Sequence, residues 1–457
     1  MKYREEQDSL GTVRVPAKAY YGAQTERARQ NTVHSGLCLP LAFIRALALV
    51  KLFAAEVNLE SKRLDPELAQ AILASAREVA EGGLEPEFVV DLFQTGSGTS
   101  TNMNMNEVIA SRANERLSGI IGGKSPVHPN DHVNLGQSSN DVIPTALHIS
   151  ALKAIARGLL PHLNTLGQVL GEKAVQWGDI RKIGRTHLQD AVPMFLGDEF
   201  SAYARQVELS VSRIKNASEG LRELALGGPA VGSGVNTPPG FAGAVIQKIN
   251  RHLDMEFREA ENHFEAQAAR DAAVEMSGTL KSVAVSLMKI ADDLRWLASG
   301  PRCGLGEIQL PGLQPGSSIM PGKVNPVIPE VVLQAAAQVI GNDTTITFAG
   351  QKGQFELNTM QPLIAYNLLQ SISLLGESAR VLVEKCVKGI EANREKCEGY
   401  VEKSLALATY LVPRLGYDRA ADLSRRAHQA GKTIREIVVE NNVLTSTEFN
   451  ALIGEDQ

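Results

Sequence analysis

"SGTLKSVAVSLMKIADDLRWLASG", residues 277–300, decides how the middle of this chain folds. Leu280, Val283, Val285, Leu287, Ile290, Leu294 and Leu297 recur mostly at three- or four-residue steps, which is the period of a helix face. The stripe is wide, so the helix is expected to be buried on more than one side, as in a bundle packed against other bundles. Proline placement extends this reading outward, because proline is costly inside a helix. Residues 194–228, 241–300 and 363–412 contain none, and all three spans are rich in Ala, Leu, Glu, Lys and Arg, which favour helix.

The chain has 457 residues, 44% of them apolar and 21% charged, an ordinary balance for a soluble globular protein. A net charge of −5 offers no basic excess for nucleic acid or an anionic membrane. The four cysteines, Cys38, Cys303, Cys386 and Cys397, show no CxxC spacing, so neither a zinc ribbon nor an iron–sulfur cluster is indicated. The polar start "MKYREEQDSLG" lacks the apolar run of a signal peptide, and no apolar stretch is long enough to span a bilayer. A soluble cytoplasmic protein is expected. The first 135 residues read as mixed and loop-rich, 136–390 as a long-helix region, and 391–457 as a small C-terminal domain.

Polar, glycine-rich segments at 94–107, 125–141, 184–193, 226–241 and 316–326 read as loops between the helices. "TGSGTST" offers Ser97 and Thr99 on a backbone loosened by Gly96 and Gly98, ahead of a helix. Such hydroxyls and N–H groups suit an anion, and they equally suit simple N-capping. "QSSND" repeats the pattern with Ser138, Ser139 and Asn140. "GRTHLQDAVP" carries Thr186 and His187; the histidine is either a satisfied core residue or a proton-transfer group suited to neutral pH. "GSSIMPGKVNP", residues 316–326, holds Ser317, Lys323 and Asn325, with Glu330 shortly after. A glycine-rich loop of this kind closes over a ligand or is a surface Ω-loop. Ser317 can serve as a base only if its alkoxide is stabilised, by the lysine or by backbone N–H groups.

These stretches resemble the fumarase/aspartase superfamily, whose members cleave a C–N or C–O bond beta to a carboxylate and release fumarate. "GSSIMPGKVNP" is similar to its signature, and "GAQTERA" at 22–28, "TGSGTSTNMNMNEV" at 95–108, "HPNDHVN" at 128–134, "GRTHLQDA", "ASGPRCG" at 298–304 and "FELN" at 355–358 extend the likeness over nearly the whole chain. His187 and Gly322 stand as in class II fumarases, where aspartases typically have glutamine and alanine. "TSTNMN" departs from the fumarase pattern and "VIGNDTTIT" at 339–347 is similar to aspartase. The alternative within the superfamily is therefore aspartate ammonia-lyase.

The resemblance implies an all-α fold in three domains, with a central long-helix bundle that forms the core of a homotetramer. It implies reversible anti addition of water to fumarate, giving L-malate through an aci-carboxylate intermediate. No metal and no organic cofactor is implied. Carried over residue by residue, Ser317 is the base, Lys323 and Asn325 grip the aci-carboxylate, and His187 handles the other proton with Glu330 behind it. Ser97, Thr99, Ser138, Ser139, Asn140 and Thr186 would bind the substrate carboxylates, with each active site drawing on three chains. His128, Asn130 and Asp131 match an accessory carboxylate site of some members; a turn that starts a helix explains them as well.

Overall fold

The computed structural model describes residues 2–454. Helices dominate, and every sheet among the described residues is a two-stranded piece. The proline-free spans carry long helices: Leu196–Ala217, Phe241–Leu253, Asp271–Leu297 and Gln361–Lys385, the last with Pro362 in its first turn. Along Asp271–Leu297 the residues Leu280, Val283, Leu287, Ile290, Leu294 and Leu297 are buried, while Val285 is 54% and Trp296 53% exposed.

The chain forms two compact units. The first comprises residues up to 161, 211–284 and 335–377. Its centre is the helix Leu41–Glu60, apolar on nearly every side, which packs against Pro66–Ala80, Ser139–Ala154 and Phe241–Leu253. Phe43, Leu47, Ala48, Val50 and Ala54 of this helix are fully buried. A hairpin, Tyr3–Asp8 with Gly11–Pro16, lies in the same unit.

Two segments read as loops are more regular than their composition indicates. The helix Thr99–Ser118 starts inside 94–107, and its residues 101–110 are all buried although Asn102, Asn104, Asn106 and Glu107 are polar. Polar side chains buried inside the protein erase the apolar stripe by which a helix is read. In 125–141, a π-helical turn at Pro129–Val133 precedes the helix Ser139–Ala154.

The second unit comprises 162–210, 285–334 and residues from 378 onward. Here 184–193 is not a loop: Arg181–Thr186 and Gln189–Phe195 pair as an antiparallel hairpin, which packs against the helix Arg394–Lys403. The helices from Arg394 to Ile453 enclose a small core that includes Leu407, Leu411, Leu423, Ile434, Val438 and Phe449. Thr433 with Glu436, and Thr445 with Glu448, form capping boxes that start two of these helices.

Candidate active site

In the first unit two helix N-termini bring hydroxyls together. Thr99 Oγ1 lies 2.7 Å from Ser97 Oγ and 2.7 Å from Ser139 Oγ, and Ser139 Oγ donates to Asn140 Oδ1 at 3.3 Å. Capping engages the first loop only in part, through a long bond from Thr99 N to Ser97 Oγ at 3.4 Å. Gly98, in the left-handed conformation at φ +75°, is the N-cap of Thr99–Ser118 and has no side chain to cap with. Gln94 Oε1 instead accepts from Thr101 N at 3.0 Å and Thr101 Oγ1 at 2.8 Å. Ser97 and Thr99 thus face one another at the positive end of the helix. Gly96 is obligatory, because a Cβ there would sit 1.6 Å from the Thr359 carbonyl oxygen.

The second loop divides its labour. Ser138 caps the helix, in a capping box with Asp141, whose Oδ1 accepts from Ser138 N at 2.8 Å. Ser139 and Asn140 are not caps. Asn140 Nδ2 donates to Ala230 O at 2.8 Å, and Ala230 holds a strained backbone at φ 66°, ψ −85°. Asp141 is fully buried, and burial raises its pKa to about 6. Lys51, also fully buried, is held down to about 7 by burial, with Asp141 pulling the other way.

In the second unit His187 and Leu188 form the two-residue turn of the 181–195 hairpin, with φ of +55° and +59°. Turns with two positive φ values favour Asn-Gly, so a His-Leu pair there is strained. Strain of this kind gathers at functional sites. The turn lifts His187 into the exposed part of the hairpin, beside exposed Thr186. The hairpin is anchored beneath: Arg185 donates twice to the fully buried Glu307, both at 2.9 Å, and Lys182 Nζ lies 3.3 Å from the same carboxylate. No hydrogen bond or ion pair joins His187 to Glu330 among the described residues.

The 316–326 loop is pinched at its neck. Gly316 N donates to Lys323 O at 2.7 Å, and Asn325 Nδ2 donates to Gly316 O at 2.8 Å. Gly316 is required there, since a Cβ would meet Lys323 O at 2.7 Å. Within the loop, Ser317 Oγ accepts from Ile319 N at 3.2 Å and Met320 N at 3.0 Å. Two N–H groups on one serine oxygen favour its anionic form. Lys323 is exposed, as are Ile319 at 84% and Val324 at 54%. Glu330 lies in the first turn of Val327–Gly350.

At 128–134 the capping group is His128 itself. Its Nδ1 accepts from Asn130 N and Asp131 N, both at 3.1 Å, and its own N–H donates to His132 Nδ1 at 2.9 Å. Burial lowers the His128 pKa, which keeps Nδ1 an acceptor. Asn130 Nδ2 contacts Met103 Sδ at 3.6 Å, and Asp131 is exposed. Among the described residues no group of three or more His, Cys, Asp or Glu side chains is placed to hold a metal ion.

The sequence reading passed over Lys51 and Asn134. A lone lysine inside the apolar run "FIRALALVKLFAAEV" was the available signal.

The family described as "Lyase" matches residues 11–341, and the family "Fumarase C C-terminus" matches 407–454. A Thermosynechococcus vestitus protein named fumarate hydratase class II is 50% identical over 98% of this chain and 96% of its own. A Nitrosomonas europaea protein of the same name is 51% identical over 99% and 98%. Among solved structures, the class II fumarase from Schistosoma mansoni superposes with a TM-score of 0.95 at 43% identity, covering 99% of this chain and 98% of that one.

Proposed function

The chain belongs to the class II fumarate hydratases, all-α members of the lyase family, and on that premise we propose that it adds water reversibly and anti across fumarate to give L-malate. It is a metal-independent hydro-lyase in this reading. Aspartate ammonia-lyase, which would release the same fumarate, is not favoured, because the relatives matched over their full length are fumarate hydratases.

The difficult step is removal of a proton from the carbon beside a carboxylate that is already anionic. The resulting dianion must be stabilised strongly, and one well-placed donor is worth about 2.7–4 kcal/mol. Ser317 is the proposed base in the direction of dehydration. The observation that carries the reading is its Oγ, already accepting two backbone N–H groups, which supports an alkoxide. Lys323 and Asn325 are proposed to hold the aci-carboxylate. His187 gives a proton to the departing hydroxide, and in hydration it takes one from the attacking water while Ser317 returns its proton to carbon. Glu330 is proposed to polarise His187 once a neighbouring chain completes the site.

Ser97, Thr99, Ser139, Asn140 and Thr186 are proposed to bind carboxylate, with Ser138 holding the helix end beneath them. His128, Asn130 and Asp131 are kept as an accessory carboxylate site. A homotetramer, each site drawing on three chains, is supported by exposed apolar residues on the long helices: Val285 and Trp296 on one, Phe348 at 65% on another. We keep the three-part division at 135 and 390 as a proposal. A cytoplasmic location is supported by four free cysteines. No described helix is long and apolar enough to cross a membrane.

Incubation with fumarate in heavy water tests the reaction. One deuterium should appear at a single stereochemical position of the methylene carbon of L-malate. Deuterium scrambled over both positions, or no malate, would refute the proposal.

A further inference from the structure

Lys51 is the one charged side chain on the buried inner face of the Leu41–Glu60 helix, and it is 0% exposed. A methionine would fill the same space without the cost of stripping water from an ammonium. The charge must therefore do something that an apolar side chain cannot.

Its surroundings say what. Lys51 Nζ donates to Asn134 Oδ1 at 2.9 Å. The same oxygen accepts from Asn102 Nδ2 and Asn106 Nδ2, both at 3.2 Å, so it gathers three donors. Asn102 and Asn106 lie in the first two turns of Thr99–Ser118. Asn134 Nδ2 donates to Gln137 O at 3.0 Å, one residue before the cap Ser138. Asp141, in the first turn of Ser139–Ala154, attracts Lys51 and accepts from Gly227 N at 3.1 Å. One ammonium thus ties the starts of both helices whose first residues carry the hydroxyl cluster.

We propose that Lys51 is a positioning residue for the substrate-carboxylate site, holding the two helix N-termini through Asn134 and, when protonated, adding a positive charge behind them. The inference rests on the reading of Ser97, Thr99, Ser139 and Asn140 as that site. The carboxylate held there keeps its charge throughout the reaction, so the field of Lys51 acts equally on bound substrate and transition state. Loss of such uniform binding raises KM and leaves kcat.

The test uses the full-length Lys51→Met protein. The KM for fumarate and for L-malate should rise about tenfold with kcat within about threefold. The affinity for succinate, a saturated dicarboxylate, should fall by the same factor when measured by calorimetry. A purely structural lysine would lower the thermal midpoint and the active fraction while leaving KM and succinate affinity unchanged; that outcome overturns the proposal. Should Lys51→Met fail to fold, Asn134→Asp keeps an oxygen for all three donors, offsets the ammonium charge and gives up the Nδ2 bond to Gln137 O. It should weaken succinate binding by about tenfold, and unchanged binding overturns the proposal. Succinate binding needs no turnover. A wild-type protein that binds succinate but does not hydrate fumarate would sink the functional reading and leave this test intact.

Discussion

Thr99 Oγ1 lies 2.7 Å from Ser139 Oγ, so the first residues of two helices meet hydroxyl to hydroxyl. Neither hydroxyl is used as a helix cap, and both stand where helix dipoles favour an anion. Thr99→Val removes one hydroxyl at constant shape. A hydrogen bond to a charged group is worth about 1.5–3 kcal/mol, so KM should rise about ten- to a hundredfold with little change in the thermal midpoint. Steady-state kinetics with fumarate and L-malate check this.

Ser317→Ala deletes the proposed base and leaves the loop neck, Gly316 to Lys323 and Asn325, intact. General base catalysis contributes typically about 10²- to 10⁴-fold, so kcat should drop by that order while KM moves far less. Near-full activity in the variant would remove Ser317 from the mechanism.

The strained turn separates chemistry from stability. His187→Asn puts a residue tolerant of positive φ at +55°, so the hairpin should keep or gain stability while kcat falls by about two orders of magnitude or more. Leu188→Gly, beside it at +59°, relieves strain without touching the imidazole. It should retain His187 and most of the activity. A loss of kcat in Leu188→Gly equal to that in His187→Asn would mean that turn geometry, not the imidazole, limits the reaction.

His148 sets a pH dependence of stability. Burial, helped by the Arg270 charge and opposed by its bond to Glu223 O, lowers its pKa to about 4 from an ordinary 6.5. The unfolded chain therefore takes up a proton that the folded chain refuses. Stability from this source is whole above pH 6.5 and is lost as pH falls towards 4, by on the order of 3 kcal/mol. His148→Gln keeps an amide donor for the Glu223 carbonyl and does not titrate. Its thermal midpoint should fall less steeply between pH 6.5 and 4 than that of the wild type. Parallel curves would contradict the assignment.

The long helices were legible because proline and the apolar stripe around Leu280–Leu297 act locally. The hairpin at Arg181–Phe195 was not legible: its turn is His187-Leu188, without the glycine or asparagine that marks such turns. The helix from Thr99 was hidden for a different reason. Asn102 and Asn106 are buried against Asn134, so its inner face is polar and the expected period is absent. The residue types of the site stood out in the loops, but their division of labour did not. That Ser138 caps while Ser139 meets Thr99, and that Gln94 takes the Thr101 N–H and hydroxyl, follows from three-dimensional contacts alone. Lys51 was visible as an anomaly in an apolar run; its partner, 83 residues away, was not.

The most direct measurement is fumarate formation, read in the ultraviolet, by the purified protein given L-malate and L-aspartate side by side. Rapid fumarate from malate and none from aspartate is the expected result. Fumarate from aspartate alone would contradict the hydratase reading and reinstate the ammonia-lyase.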